Sequence, residues 1–148
     1  MITFQTEQEM IDFGEKLATY MFPNFILTLK GDLGAGKTTF TKGIGKGLEI
    51  KKIINSPTFT IVKIYHGKMT LYHFDAYRLE GQDEELGFEE MFEDNGVCVI
   101  EWPQFIQDIL PLEYMEIYIH KNDDETRSLS FQAYGKKYEN IIREIELC

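Results

Sequence analysis

Gly31-Asp32-Leu33-Gly34-Ala35-Gly36-Lys37-Thr38 is the stretch on which the fold turns: it satisfies G-x-x-x-x-G-K-[ST] and lies between an apolar run and the start of a helical pattern. Strand before and helix after is the context a phosphate-binding loop requires. Upstream, Phe25, Ile26, Leu27, Thr28 and Leu29 form a nearly continuous apolar run of strand length, as expected of a strand covered on both faces. Downstream, residues 38–47 predict a helix that decays into Gly43, Gly45 and Gly47, a weak interior with plausible C-terminal stops. Glycines at 31, 34 and 36 let the backbone curl so that successive N–H groups face a phosphate. The positive end of the following helix adds to that field. The ammonium of Lys37 reaches the β and γ phosphates, and the hydroxyl of Thr38 takes a place on Mg²⁺. A glycine turn that bound nothing would leave Lys37 without a purpose.

Such a loop needs a carboxylate at the end of a neighbouring buried strand, to hold the magnesium through its water shell or to orient an attacking water. Glu101 follows Val97-Cys98-Val99-Ile100, and Asp75 follows Leu71-Tyr72-His73-Phe74. Both are candidates for catalysis and for the metal; each also reads as a surface acid after a strand, and sequence position does not divide their roles. The base is narrowed by absence. The chain lacks an N-K-x-D guanine-reading segment, since Lys121-Asn122-Asp123-Asp124 has the wrong order, so ATP is preferred to GTP. Its only arginines are Arg78, Arg127 and Arg143, few for a phosphotransferase that lines donor and acceptor sites with planar forks. Arg78, three residues after Asp75, could assist or be a solvated loop residue.

Further out, Thr6 with Glu9 has capping-box spacing, and Met10, Phe13, Leu17, Ala18 and Met21 predict an amphipathic helix over residues 7–21, ended by Pro23. Residues 60–65 and 69–74, flanking His66-Gly67-Lys68, predict a β-hairpin. Residues 97–100 predict a buried strand, 103–110 a short helix opened by Pro103, 114–120 and 127–133 late strands, and 138–146 a closing helix. The acidic stretch from Gln82 to Asp94, interleaved with Leu86, Phe88, Met91 and Phe92, reads as a solvated face on short helices or as a docking surface for a basic protein partner. With no repeat and no Pro/Ser-rich linker, one domain over residues 1–148 is the simplest division. The fold class expected is α/β, a phosphate-loop NTPase-like domain with a mixed, largely parallel sheet flanked by helices and carrying an antiparallel hairpin.

The 148 residues carry a net charge of −10 and 43% apolar residues, enough for a substantial core. Acidity argues against unaided gripping of a nucleic-acid backbone, which rests on clustered Lys and Arg. Two cysteines, Cys98 and Cys148, make neither a CxxC pair nor a disulfide framework, which fits a reducing cytosol. The apolar runs are far short of the roughly 18 residues a bilayer demands, and no export signal opens the chain, so a cytoplasmic protein with no membrane role is expected.

Beyond the loop, written Gly31 to Thr39 as GDLGAGKTT, the chain carries Ser56-Pro57-Thr58-Phe59-Thr60, His73-Phe74-Asp75 followed by Tyr77-Arg78-Leu79, then Glu84-Glu85-Leu86, and finally Glu101-Trp102-Pro103. In that order these segments resemble the TsaE (YjeE) family, the bacterial ATPases serving the machinery that makes threonylcarbamoyladenosine, the N6-threonylcarbamoyl group at adenosine 37 of tRNA. The resemblance covers about residues 6–103. It implies nucleotide contacts from Asp32, Leu33, Gly34, Ala35, Gly36, Lys37, Thr38 and Thr39, with Trp102 close to the nucleotide and Thr6 beside the adenine, although Thr6 is already explained as a helix cap. It implies that Thr38 and Glu101 serve Mg²⁺ and ATP hydrolysis, with Asp75 near the metal or the catalytic water and Lys37 on the phosphates. Ser56, Thr58 and Thr60 become a switch-like loop facing the γ phosphate, where the residues alone read as a turn into a strand. Gly87, Phe88 and Glu89 depart from the more apolar stretch of the family.

The partners implied are two related sugar-kinase-like subunits of the tRNA-modifying assembly, of TsaB and TsaD type, with tRNA left to them and no strong direct tRNA binding by this chain. Slow hydrolysis alone is expected, because a phosphate loop without a dedicated arginine finger forgoes a contribution of roughly 10³ to 10⁵ in rate. Two other readings share the loop: a small-molecule or nucleoside kinase, and a nucleotide-controlled binding module without meaningful turnover.

Overall fold

The computed structural model describes residues 2–32, 34–55, 61–76 and 88–146. Its frame is a seven-stranded sheet in the order β1-β7-β6-β2-β5-β4-β3, formed by β1 (Ile2–Phe4), β2 (Phe25–Lys30), β3 (Val62–Tyr65), β4 (Leu71–Asp75), β5 (Val97–Glu101), β6 (Tyr114–Lys121) and β7 (Arg127–Tyr134). The centre, β6-β2-β5-β4, is parallel throughout. Antiparallel pairings finish each side: β3 on β4 at one edge, β7 on β6 and β1 on β7 at the other. The expected hairpin is β3–β4, and the late strands pair as a second one. The mixed α/β, mostly parallel fold expected of the sequence is therefore present.

Alternation along the central strands explains the two cores. Phe25, Leu27 and Leu29 of β2, with Val97 and Val99 of β5, join the cluster that includes helix α1 (Glu7–Ala18), α2 (Lys37–Gly47) and α4 (Lys136–Glu146). Ile26, Cys98 and Ile100 point the other way, against Phe74, α3 (Phe88–Phe92) and Ile106 of a 3₁₀ segment, Pro103–Ile109. Both β2 and β5 are buried almost from end to end, as their uninterrupted apolar sequence requires.

Several boundaries differ from the sequence reading. Helix α1 stops at Ala18, before the chain turns toward Pro23. Thr6 caps it, its hydroxyl accepting from the Glu9 N–H at 3.2 Å, while the Glu9 carboxylate reaches the N–H of Gln5 at 2.6 Å, one residue before the position a standard capping box uses. Strand β1 was not foreseen; three residues on an edge carry too little pattern. Helix α2 ends at Gly47, as the sequence reading expected of residues 38–47, and its glycines also serve as contact surfaces. A Cβ on Gly43 would lie 2.2 Å from the Ile11 carbonyl oxygen of α1, and one on Gly47 would lie 2.5 Å from Ala18 Cβ. Glycine lets the two helices touch backbone to backbone. Leu33, the Ser56–Thr60 loop, Tyr77 to Gly87 (with Arg78 and most of the acidic stretch) and Cys148 lie outside the described residues. Among those described, no helix is long and apolar enough to cross a membrane.

Candidate functional site

Parallel strands place their C-terminal ends on one side of the sheet, and ligands of open α/β sheets settle there, where neighbouring connections part in opposite directions. Here β2 is flanked by β5 on one side and β6 on the other. Its end, Lys30, feeds the glycine loop and then α2. Gly36 occupies the N-cap with φ +110°, and Gly34 has φ +82°, conformations an L side chain resists. A Cβ at Gly34 would meet nothing within 4 Å, so the loop is open on that face; one at Gly36 would lie 3.0 Å from Met10 Cε. The loop therefore forms a concave cradle with α2 pointing its N-terminus into it.

A cavity of about 410 Å³ begins at this cradle. It brings together Thr6, Gly34, Gly36, Lys37, Thr38, Thr39, Asp75, Glu101 and Trp102 from four separate regions of the chain. Asp32 faces an adjoining depression that shares Lys37 and Trp102 with the cavity, and Ala35 is buried beneath the loop. Leu33, Ser56, Thr58 and Thr60 lie outside the described residues.

Strand register juxtaposes the two acids. Asp75 of β4 pairs with Glu101 of β5, which in turn pairs with Leu29 of β2, so Glu101 stands beside the strand that launches the loop and Asp75 one strand farther out. Glu101 is no surface acid: it is 5% exposed, and His73 Nε2 lies 2.5 Å from its Oε2, the ring N–H donating to the carboxylate. His73 is itself fully buried, and its Nδ1 has no hydrogen-bond partner among the described residues. The lysine is equally constrained. Lys37 Nζ donates to the Gly31 carbonyl at 2.7 Å and sits 4.0 Å from the centroid of the Trp102 ring. Burial pushes its pKa below the ordinary lysine value, and the negative charges of Glu101, Asp75 and Asp32 oppose that shift. Trp102 holds φ +58°, a left-handed conformation that turns the chain directly after Glu101 into the 3₁₀ segment.

The residues present fit a magnesium-bound polyphosphate. The cradle offers amides, a helix N-terminus and an ammonium on one side, and hard oxygen donors from Thr38, Asp75 and Glu101 on the other. Among the described residues no cluster of three or more His, Cys, Asp or Glu gathers that would hold a metal alone. Magnesium is commonly bound by one or two carboxylates together with phosphate oxygens, and it keeps several waters.

The sequence reading missed the far wall. Phe4, Gln5, Glu7 and Met10 line the cavity, as do Glu125 and Arg127 from the β6–β7 hairpin. Nothing local marks Arg127; its place follows from β7 pairing with β1, where it stands opposite Phe4. His73 was legible in principle, since period-two alternation puts residues 73 and 75 on one face of β4.

A family model described as "Threonylcarbamoyl adenosine biosynthesis protein TsaE" matches residues 4–129. The chain belongs to the TsaE family. Its similarity to the tRNA threonylcarbamoyladenosine biosynthesis protein TsaE of Bacillus subtilis (strain 168) is 49% identity over 129 residues, covering 86% of this chain and 82% of the relative. With the TsaE of Treponema pallidum it shares 36% identity over 128 residues, covering 85% of this chain and 95% of the relative. The crystal structure of YdiB from Bacillus subtilis superposes with a TM-score of 0.86 at 39% identity, covering 98% of this chain and 92% of that one. Membership in TsaE ties the chain to threonylcarbamoyladenosine biosynthesis, and the match extends through β6 and into β7, past the motif region that ends at Pro103.

Proposed function

We propose that this chain binds MgATP in the cradle and hydrolyses it slowly on its own, in the cytoplasm, in support of the tRNA threonylcarbamoyladenosine assembly. One observation carries the reading: an anion-attracting loop with Lys37 and Thr38 faces two carboxylates, Asp75 and Glu101, across a single cavity. A triphosphate brought against those acids would meet like charge at close range, so the arrangement makes sense with a divalent cation between them. Thr38, Asp75 and Glu101 are the residues that would hold it. When bound, magnesium neutralises charge on the β and γ phosphate oxygens.

The chain's own residues divide the remaining work. Loop amides and Lys37 bind the phosphates, and the lysine has to leave the Gly31 carbonyl to do so. Glu101, oriented by His73, aligns a water on the γ phosphate, with Asp75 beside it. Thr6, Thr39 and the wall from Phe4 to Met10 receive the adenosine end. Switch-like action by Ser56, Thr58 and Thr60 belongs to the same proposal. Partners of TsaB and TsaD type supply the stimulation and carry the tRNA, in keeping with the net charge of −10 on this chain.

Calorimetry and phosphate-release assays test the reading. Lys37→Ala should abolish MgATP binding, whereas Glu101→Gln should bind with near-normal affinity and lose hydrolysis. Adding purified TsaB- and TsaD-type subunits should raise turnover of the unmutated protein. Transfer of the γ phosphate to a small-molecule acceptor in place of water, or normal binding by Lys37→Ala, would overturn it.

A further inference from the structure

Arg127 belongs to no motif, yet among the described residues outside the glycine loop it makes the most extensive polar contacts with it. Its Nε donates to the Ala35 carbonyl at 2.9 Å and its Nη2 to the Gly34 carbonyl at 3.4 Å. Its Nη1 donates to the carbonyls of Glu125 at 2.8 Å and Thr126 at 3.4 Å, within its own turn. One planar fork thus ties the β6–β7 hairpin to two consecutive peptides of the loop. Residue Ala35 is 1% exposed, so its carbonyl needs a donor inside the protein.

The contact has a direction that matters. A loop that presents N–H groups to an anion has to turn its carbonyls away, since a carbonyl oxygen facing a phosphate would repel it. Gly34 and Gly36 hold φ of +82° and +110° and have no side chain to keep them there. Fixing a residue's backbone costs conformational entropy, and glycine, with the widest freedom, loses most. A guanidinium gripping the carbonyls of residues 34 and 35 bears that ordering before the nucleotide arrives. Lysine, with a single point charge, cannot reproduce a fork that spans two carbonyls.

We propose that Arg127 is a positioning residue for the phosphate loop: by engaging the Gly34 and Ala35 carbonyls with its guanidinium, it preorganises the loop for the phosphates of the nucleotide. The inference rests on the MgATP reading of the cavity and assigns a role in it to the C-terminal hairpin. Hydrogen exchange and calorimetry with MgADP on full-length Arg127→Met and Arg127→Lys provide the test. In the nucleotide-free protein, amides 34–39 of Arg127→Met should exchange at least tenfold faster, with those of β5 and α4 unchanged. Its MgADP affinity should fall at least tenfold, a larger effect than any on kcat at saturating ATP, and Arg127→Lys should recover only part of that loss. Wild-type exchange at 34–39 in both variants would overturn the proposal, as would full rescue by lysine or a loss confined to kcat. Should the unmutated protein fail to bind MgADP, the nucleotide reading falls and the preorganising role falls with it; the exchange arm then separates the two, by reporting whether the tether itself exists.

Discussion

Gly43 provides a sharp test of how the site is held together. Helix α1 ends its N-terminal side at the cavity, through Thr6, and helix α2 begins at it, through Lys37 and Thr38; the two helices cross where Gly43 meets Ile11 and Gly14 meets Phe40. In Gly43→Ala the new Cβ would stand 2.2 Å from the Ile11 carbonyl oxygen, and at Gly14 the corresponding distance to the Phe40 oxygen is 2.7 Å. Both obstacles are backbone, so no rotamer relieves them, and the helices have to part by about 1 Å to restore ordinary contact. Overpacking of this kind costs about 1–3 kcal/mol or more. The obstructing group is a backbone carbonyl, which puts the cost in the upper part of that range; alanine's better helix propensity returns up to about 1 kcal/mol, leaving a net loss of about 1–2 kcal/mol. For a chain of this length the loss corresponds to a fall in Tm of about 2–8 °C. Calorimetric melting of Gly43→Ala beside Gly45→Ala checks it. The Gly45 Cβ would first meet the far end of a flexible side chain, Ile54 Cδ1, and should be tolerated better. A Gly43→Ala protein as stable as its parent, or more stable, would refute the backbone contact and leave only the propensity gain.

Three further outcomes are expected. Trp102 is the chain's only tryptophan and packs on the Lys37 ammonium, so its emission should change when MgATP draws the lysine away, and a spectrum indifferent to saturating nucleotide would contradict that geometry. Burial pushes the Cys98 thiol up to about 12 from an ordinary 9.0, so the folded protein keeps its proton while the unfolded chain loses it between those values. Stability should therefore fall by about 1.4 kcal/mol per pH unit above 9 on this account, and urea titrations at pH 8 and 10 should show a smaller decline in Cys98→Ala. Removing the imidazole in His73→Ala leaves the buried Glu101 carboxylate short of a donor, a loss of about 1–3 kcal/mol, and should lower both Tm and phosphate release more than it lowers MgATP affinity.

The loop, its strand and the first helix were legible because each is a local pattern: a glycine spacing, an apolar run, a capping residue at Thr6. Glu101 and Asp75 were legible as strand ends, and the parallel pairing of β4 with β5 brings them together without further information. What sequence concealed was contact at a distance. Arg127 reaches the loop only after β7 has paired with both β6 and β1, and no spacing along the chain encodes that register. The extent of α2 was legible, since it ends at Gly47 as read, but the use of its glycines was not: helix propensity counts Gly43 and Gly45 as weaknesses, and only the close approach of α1 to Gly43 and Gly47 shows them as contact surfaces.

The two acids at the strand ends are not equivalent, and under the proposed MgATP reading their surroundings would give a physical basis for dividing their labour. Glu101 is buried, fixed by the His73 ring and followed by a residue in a left-handed conformation, so its carboxylate has little freedom to follow a moving ligand. Asp75 is only half-buried and stands at the end of β4. A group that has to align a water over the γ phosphate benefits from rigidity, because the alignment is the catalysis in phosphoryl transfer. A group that serves an ion through its water shell can tolerate a looser hold. The fold thus places the rigid carboxylate on the central parallel pair β2–β5 and the looser one a strand farther out. Lys37, drawn by both through space, is the side chain whose departure from Gly31 would register a bound phosphate at both at once.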